Sequence, residues 1–271
     1  MTLEKIGGLS LVGAGKMGGA MLEGWLALGL DPRKVSIFDP KPSPEIEALT
    51  AKGVALNPAA SAASKPAVVI LAVKPQIAPD VMPSVAALVG GDTLVISIMA
   101  GKTMSFLQAA LPNTAIVRAM PNTPAAIGRG IAVLVPNAKV TPAQRQAATD
   151  LLSATGKIEW IDDEALIDAV TAVSGSGPAY VFHLAEALAQ AGIAAGLPKE
   201  LAEKLARETV AGAGELLYRS PLDPATLRKN VTSPAGTTAA ALEILMGPDG
   251  FNTLMTKAVA AATKRSKELA G

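Results

Sequence analysis

The 271-residue sequence predicts an α/β domain with a mostly parallel sheet over residues 1–162, followed by an all-α domain over residues 163–271. Three observations carry this reading. Up to about Trp160, short apolar runs alternate with helix-length segments, the pattern of βαβ units. After Asp162 helical patterns follow one another with no strand-like run between them. Half of the residues are apolar but only 3% are aromatic, which suits a buried parallel sheet and closely packed helices.

Taken in order, the strand candidates are "LSLVG" (9–13), "KVSIFD" (34–39), "AVVILAV" (67–73), "DTLVISIM" (92–99), "AIVRAM" (115–120) and "IAVLVP" (131–136). Helix-length segments at 17–28, 78–90 and 143–153 lie between them. In the second half, helices are expected over 164–173, 178–195, 198–219, 224–230, 237–247 and 251–269. Pro178 and Pro198 sit where helices start, and Gly196 and Gly247 where they stop. Ala-rich segments such as "ELAEKLARETVAGAGELL" bury little area per residue, so roughly a hundred such residues make a thin core. Association with a second copy would remedy this, and the two chains could interlock. A single-chain bundle is the plainer alternative.

Charge and rare residues exclude several classes. The 24 basic and 23 acidic residues are spread without blocks, and no basic stripe with interleaved aromatics marks a nucleic-acid surface. The absence of cysteine removes disulfides, thiolate nucleophiles and cysteine-ligated metals, and a single histidine leaves little for a transition-metal site. "MTLEKIGGLSLVGAG" lacks the features of a signal peptide. The most apolar helix, Ala179 to Ala195, is interrupted by His183, Glu186 and Gln190, so no membrane span is expected. The reading is a cytoplasmic protein.

Gly13-Ala14-Gly15-Lys16-Met17-Gly18 follows the first strand and enters the first helix. The first glycine permits a tight turn. Gly15 lets a pyrophosphate approach the backbone, and Gly18 lets the helix pack on the sheet, while free N–H groups at the helix start face the phosphates. This placement reads as the fingerprint of a Rossmann-like, dinucleotide-binding domain, with a glycine-rich structural turn as the plainer alternative. Asp39 ends the second strand, 26 positions after Gly13, where a carboxylate can accept from the adenosine ribose 2′-OH. Lys41 could instead hold a 2′-phosphate, so the two residues point to different cofactors, or both simply belong to a solvated loop. Ala72, Val73, Lys74 and Pro75 follow the third strand, and Asn122 and Thr123, between Pro121 and Pro124, follow the fifth. Both segments belong at the rim where open parallel sheets bind ligands. Asn122 can offer its amide to nicotinamide or substrate there, or it can be an ordinary turn residue.

In the second half, Ser233-Pro234-Ala235-Gly236-Thr237-Thr238 places three hydroxyls and a Pro/Gly turn before an apolar helix. N–H groups converging at such a helix start make an anion site. The same run also reads as an N-cap, with a threonine capping the helix. "SGSGPAY" (174–180) opens the long preceding helix, and its glycines permit close passage of a cofactor or a partner chain, or simply a tight interhelical turn.

Five segments in order, "GAGKMG" (13–18), "AVKP" (72–75), "MPNTP" (120–124), "AVTAVSGSGPAY" (169–180) and "VTSPAGTT" (231–238), resemble the pyrroline-5-carboxylate reductase family and span the chain. The resemblance implies a Rossmann-like domain, a helical domain that interlocks in a homodimer, and larger oligomers built from such dimers. It implies reduction of the cyclic imine 1-pyrroline-5-carboxylate to L-proline by NADPH or NADH, the last step of proline biosynthesis. Carried over, Ser233 and the backbone of Ala235, Gly236 and Thr237 hold the substrate carboxylate, and Thr238 meets the ring nitrogen as the catalytic residue. Asn57, Ser176 and Gly177 join Gly13–Gly18, Asp39, Lys41, Ala72–Pro75 and Asn122 as cofactor-binding residues. Ala235 departs from the commoner glycine. If its φ is positive it is strained by roughly 1 kcal/mol or more; otherwise its methyl only narrows the loop.

The chemistry suits these residues. An imine nitrogen can carry a proton near neutral pH, so hydride can add at carbon without a strong general acid. Positioning and exclusion of water then carry catalysis, and Thr238 need only orient the N–H. His183, within the helix that starts near Pro178, is expected to be buried and satisfied or at a packing seam. A β-hydroxyacid dehydrogenase is the nearest rival, but the lysine such enzymes need is missing, with none between Lys157 and Lys199. A non-catalytic dinucleotide sensor is the rival from another class, and it has no use for a second small-anion site.

Overall fold

Residues 3, 6–59 and 65–270 are described by the computed structural model. Among these residues eight strands form one sheet: β1 (Leu9–Val12), β2 (Val35–Phe38), β3 (Ala55–Leu56), β4 (Val68–Leu71), β5 (Leu94–Ser97), β6 (Ala115–Met120), β7 (Gly130–Pro136) and β8 (Gly156–Trp160). Their order is β3-β2-β1-β4-β5-β6-β7-β8. Every neighbouring pair is parallel except β6–β7, which is antiparallel.

The central strands are almost wholly apolar, with Ser10, Ser97 and Arg118 as buried exceptions, because both faces of the sheet are covered. Alternate residues of β4 show this directly: Val68 and Ile70 enter one core, Val69 and Leu71 the other. Helices α1 (Lys16–Ala27) and α5 (Pro142–Leu152) bury Met21, Leu22, Trp25, Leu151 and Leu152 in the first core. Trp25 Nε1 donates to Leu151 O at 2.7 Å inside it, so the indole is buried without an unmet donor. Ile46, on the short helix α2 (Pro44–Ala48), joins the same core. Helices α3 (Ala78–Leu88), α4 (Met104–Ala110) and α6 (Ile167–Val170) cover the opposite face with Met82, Val85, Leu107 and Ile167.

All six expected strands form, with ends shifted by a residue or two. Two more were not expected. β3 is only two residues long, and β8 alternates half-buried and exposed positions at the sheet edge, so neither shows a strong apolar signature. The expected helix over 164–173 is a composite. A 3-10 turn (Glu164–Leu166) leads into α6, which passes into a π-helical turn over Thr171–Gly175.

Packing divides the described chain into two compact units, Met1–Gly175 with Thr263–Gly271, and Ser176–Ala262. The helical pattern begins at 163, before the chain leaves the first core. Ile167 is buried in that core, and Ser266 Oγ donates to Asp168 Oδ1 at 2.6 Å, which keeps the last turns of the final helix with the sheet.

The second unit contains α7 (Gly177–Ala194), α8 (Lys199–Arg219), α9 (Pro224–Asn230), α10 (Thr237–Leu245) and most of α11 (Phe251–Ala270). Pro178 lies in the first turn of α7, and Pro198 is the N-cap of α8. The seam between α7 and α8 is made of small residues: a Cβ on Gly192 would lie 3.2 Å from Cβ of Ala202. Among the described residues of this unit only Ala189, Ala202 and Ala206 are buried. Phe182 (64% exposed), Leu216 (57%), Leu254 (59%) and Ile244 (79%) lie open. A unit that buries only methyl groups has almost no core of its own.

Candidate functional site

The strand order reverses between β2 and β4, on either side of β1, and the glycine turn sits at that point. Gly13 N–H donates to Phe38 O at 2.9 Å, and Ala72 N–H donates to Val12 O at 2.8 Å, so the ends of β1, β2 and β4 are tied together. Gly13 has φ +90°, and a Cβ there would lie 2.8 Å from Ala72 O and 2.9 Å from Val73 Cγ1. Only glycine meets both demands. A Cβ on Gly18 would fall 2.3 Å from Gly13 O, which is why α1 can start so close to the turn. Gly15 is different, since a Cβ there would meet no atom within 4 Å.

The first backbone bond at the head of α1 runs from Gly19 N–H to Gly15 O at 2.7 Å, leaving the N–H groups of Lys16, Met17 and Gly18 without intrahelical acceptors. Open space above Gly15 beside free donors fits a pyrophosphate. Lys16 and Lys74 are exposed, and Met17 packs on the first core.

Asp39 is held firmly at the end of β2. Its Oδ2 accepts from Ala14 N–H at 2.8 Å and its Oδ1 from Lys41 N–H at 2.8 Å. Asn57 clamps the same residue through its backbone: Asp39 N–H donates to Asn57 Oδ1 at 2.9 Å, and Asn57 Nδ2 donates to Asp39 O at 2.8 Å. Asn57 itself has φ +47°, a conformation asparagine tolerates better than most residues. A cleft of about 410 Å³ opens beside this pair, lined by Phe38, Asp39, Asn57, Val73, Asp80, Ser84 and neighbouring residues.

Beyond β6, Asn122 is committed on both sides of its amide. Oδ1 accepts from Ile131 N–H at 3.0 Å, and Nδ2 donates to Ser174 Oγ at 3.2 Å. One amide N–H is left for anything else. Gly175 lies against Met120, with space for a Cβ only 2.6 Å from Met120 Cε. The "MPNTP" loop and the residues Ser174 and Gly175 therefore meet within the first unit.

Sequence reasoning missed the ion pair behind this loop. Arg118, 5% exposed on β6, places Nη1 2.6 Å from Glu164 Oε1, and the same oxygen accepts from Met104 N–H at 2.7 Å. A charged residue inside the apolar run "AIVRAM" was the available signal. A buried arginine almost always needs a carboxylate partner.

In the second unit, Ser233–Gly236 is a turn closed by Gly236 N–H donating to Ser233 O at 3.1 Å. Ala235 occupies the third position with φ +55°, the left-handed value that a type II turn requires there. The conditional strain on alanine is therefore present, about 1 kcal/mol or more. A Cβ on Gly236 would come 2.3 Å from Ser233 Oγ, so a bare residue keeps that hydroxyl in place.

No threonine caps α10. The N-cap is Gly236, without a side-chain cap bond, and the helix holds Thr237 and Thr238 as its first two residues. The first backbone bond at its head is Ala240 N–H to Gly236 O at 3.2 Å, so the N–H groups of Thr237, Thr238 and Ala239 lack intrahelical acceptors. Thr238 is half-buried, and Ser233 and Thr237 are exposed.

Ser176 is the N-cap of α7 and Gly177 its first residue, with open space where a Cβ would stand. His183 is neither buried nor at a seam within the chain. Its side chain is 80% exposed, with Nδ1 3.2 Å from Glu186 Oε2 one turn on. Among the described residues no group of three or more His, Cys, Asp or Glu could hold a metal, and no helix is long and apolar enough to cross a membrane.

A glycine turn at the strand-order reversal of a largely parallel sheet, followed by a helical unit, defines a dinucleotide-binding protein of the Rossmann class. Comparison with known proteins narrows this. The family model described as pyrroline-5-carboxylate reductase dimerisation matches residues 164–269, and that of NADP oxidoreductase coenzyme F420-dependent matches residues 8–101. A pyrroline-5-carboxylate reductase of Pseudomonas aeruginosa is 42% identical over 266 residues, covering 97% of this chain and 96% of that one. The solved pyrroline-5-carboxylate reductase of Coxiella burnetii superposes with a TM-score of 0.90 at 33% identity, covering 98% of this chain and all of that one. A pyrroline carboxylate reductase of Plasmodium falciparum, solved with NADP bound, gives a TM-score of 0.82 at 29% identity over 99% of both chains. The chain belongs to the pyrroline-5-carboxylate reductase family.

Proposed function

We propose that this chain reduces 1-pyrroline-5-carboxylate to L-proline, the last step of proline biosynthesis. Family membership over the full chain supports the reaction. The observation that carries the site is the strained turn at Ser233–Gly236, which delivers three free N–H groups and the hydroxyls of Ser233, Thr237 and Thr238 to one helix start. Left-handed alanine carries a cost that the surrounding structure must offset, and strain of this kind clusters at functional sites.

In this reading Ser233 and the backbone at Ala235, Gly236 and Thr237 hold the substrate carboxylate, where helix-start N–H groups favour an anion without any arginine. Thr238 aligns the protonated ring nitrogen as a hydrogen-bond acceptor and moves no proton itself. A reduced nicotinamide dinucleotide, NADPH or NADH, supplies hydride when bound. Gly13–Gly18 would hold its pyrophosphate and Asp39 or Lys41 its adenosine end, with Asn57, Ala72–Pro75, Asn122, Ser176 and Gly177 as the remaining cofactor-binding residues.

The working unit is a homodimer, itself a building block for larger oligomers, in the cytoplasm. Its support is the second unit, where large apolar side chains lie open and only three alanines are buried. The test of the whole reading is cofactor oxidation followed by absorbance with 1-pyrroline-5-carboxylate, with proline identified as product. Turnover of a 3-hydroxy acid with none of the imine would overturn it.

A further inference from the structure

We propose that this chain takes NADH in preference to NADPH, and that the Asp39 carboxylate makes the choice by excluding a phosphate from the adenosine 2′-oxygen. The inference rests on the cofactor reading above and specifies which dinucleotide that site accepts.

The first ground is that Asp39 is fixed. Each carboxylate oxygen already accepts a backbone N–H at 2.8 Å, one from Ala14 in the glycine turn and one from Lys41. Asn57 holds its backbone on both sides. Turning the carboxylate away would break two charge-assisted bonds. Held so, it keeps lone pairs free to accept from a ribose hydroxyl. A 2′-phosphate has no donor to offer in that place, and it brings about 1.5–2 negative charges.

The second ground is the cleft beside it. Its lining includes two carboxylates, Asp39 and Asp80, and among the described residues no lysine or arginine. The remaining polar lining is Asn57 and Ser84. Sites that accept a 2′-phosphate present a cation to it, usually arginine. Here the charged groups that line the cleft have the opposite sign.

The third ground concerns Lys41, the rival that the sequence left open. Its backbone N–H is spent on Asp39, while its side chain is exposed and takes no part in the cleft lining. An ammonium free in solvent is a screened, mobile charge and gives weak recognition compared with a fixed carboxylate at the site itself. The relative solved with NADP is only 29% identical, so its cofactor does not decide the matter.

The test is calorimetric binding to the full-length protein, which needs no turnover. NAD⁺ and NADP⁺ are titrated, with adenosine 5′-monophosphate and adenosine 2′,5′-bisphosphate as fragments that differ only in the 2′ group. The expected result is NAD⁺ tighter than NADP⁺ by about 10- to 100-fold, with the fragments in the same order. Asp39→Ser puts a neutral hydroxyl where the carboxylate stood and removes the charge, and should raise affinity for NADP⁺ while lowering it for NAD⁺. Asp80→Asn leaves the Ala14 turn untouched and should also narrow the gap, so the test survives if the Asp39 variant folds poorly. Equal or tighter binding of NADP⁺ by the wild type overturns the proposal, as does an unchanged ratio in a folded Asp39→Ser protein. Binding of neither dinucleotide would overturn the cofactor reading itself and this inference with it.

Discussion

Asn122 and Ser174, 52 positions apart in sequence, are joined side chain to side chain, with Nδ2 donating to Ser174 Oγ at 3.2 Å. The bond ties the loop after β6 to the π-helical turn that precedes α7, while the other end of the same amide satisfies Ile131 N–H. Asn122→Ala leaves that part-buried N–H without its acceptor and should cost about 1–3 kcal/mol, more than the roughly 0.5–1.5 kcal/mol of Ser174→Ala. Denaturant unfolding of both single variants and the double variant checks this. Strict additivity would show that the two side chains are not coupled.

Ala235 offers a test of opposite sign. With φ +55° it should be more stable as glycine. Relief of left-handed strain of about 1–2 kcal/mol outweighs the roughly 0.4–1 kcal/mol of extra freedom that glycine gives the unfolded chain. Ala235→Gly should therefore stabilise by about 0.5–1 kcal/mol in equilibrium unfolding at fixed protein concentration. A loss of stability would mean that the turn is not strained there.

Thr238 can be tested without the usual confusion between stability and function. It is not the N-cap of α10, so Thr238→Ala should change stability by less than about 0.5 kcal/mol. If it aligns the ring nitrogen, kcat/KM should fall about 10- to 200-fold, with cofactor affinity unchanged. Ser233→Ala should act mainly on KM, because a carboxylate contact is present equally in ground and transition states. Weakened cofactor binding with normal turnover in Thr238→Ala would place the loop at the wrong ligand.

His183→Gln should leave kcat within a few-fold. The imidazole is exposed and, among the described residues, paired with Glu186 on its own helix, an arrangement worth a few tenths of a kcal/mol. A fall of roughly 10²–10⁴ would return it to the chemistry.

Unfolding of the wild type should depend on protein concentration. A unit whose buried residues are Ala189, Ala202 and Ala206, and whose Phe182 and Ile244 are open, depends on a second copy for its core. Melting at two concentrations tests this, and a concentration-independent monomer would refute it.

The elements were largely legible because buried parallel strands leave near-continuous apolar runs: β4 is wholly apolar, and β1 and β5 are broken only by Ser10 and Ser97. β8 was not, because "GKIEW" is an edge strand with alternating exposure. The glycine turn could be read from spacing, since Gly13 and Gly18 answer to backbone contacts that no other residue allows. The grip of Ala14 and Lys41 on Asp39 could not, because it depends on where two strand ends meet in space. Threonine as a cap was a reasonable composition-based alternative for "SPAGTT". The turn instead ends one residue earlier, at Gly236, and the helix takes up both threonines.

The Ser266–Asp168 bond closes the first unit with a segment from far along the chain. On the ribosome the sheet and its flanking helices emerge long before that segment exists. Residues 176–262 must be translated in between, an interval on the order of 4–17 s at about 5–20 residues per second. During that interval the Asp168 carboxylate has no Ser266 to bond, and the place that Leu269 will take beside Gly101 stands empty. The order of synthesis and the order of packing therefore differ, and the nascent first unit waits for its last strap until the helical insertion has been made.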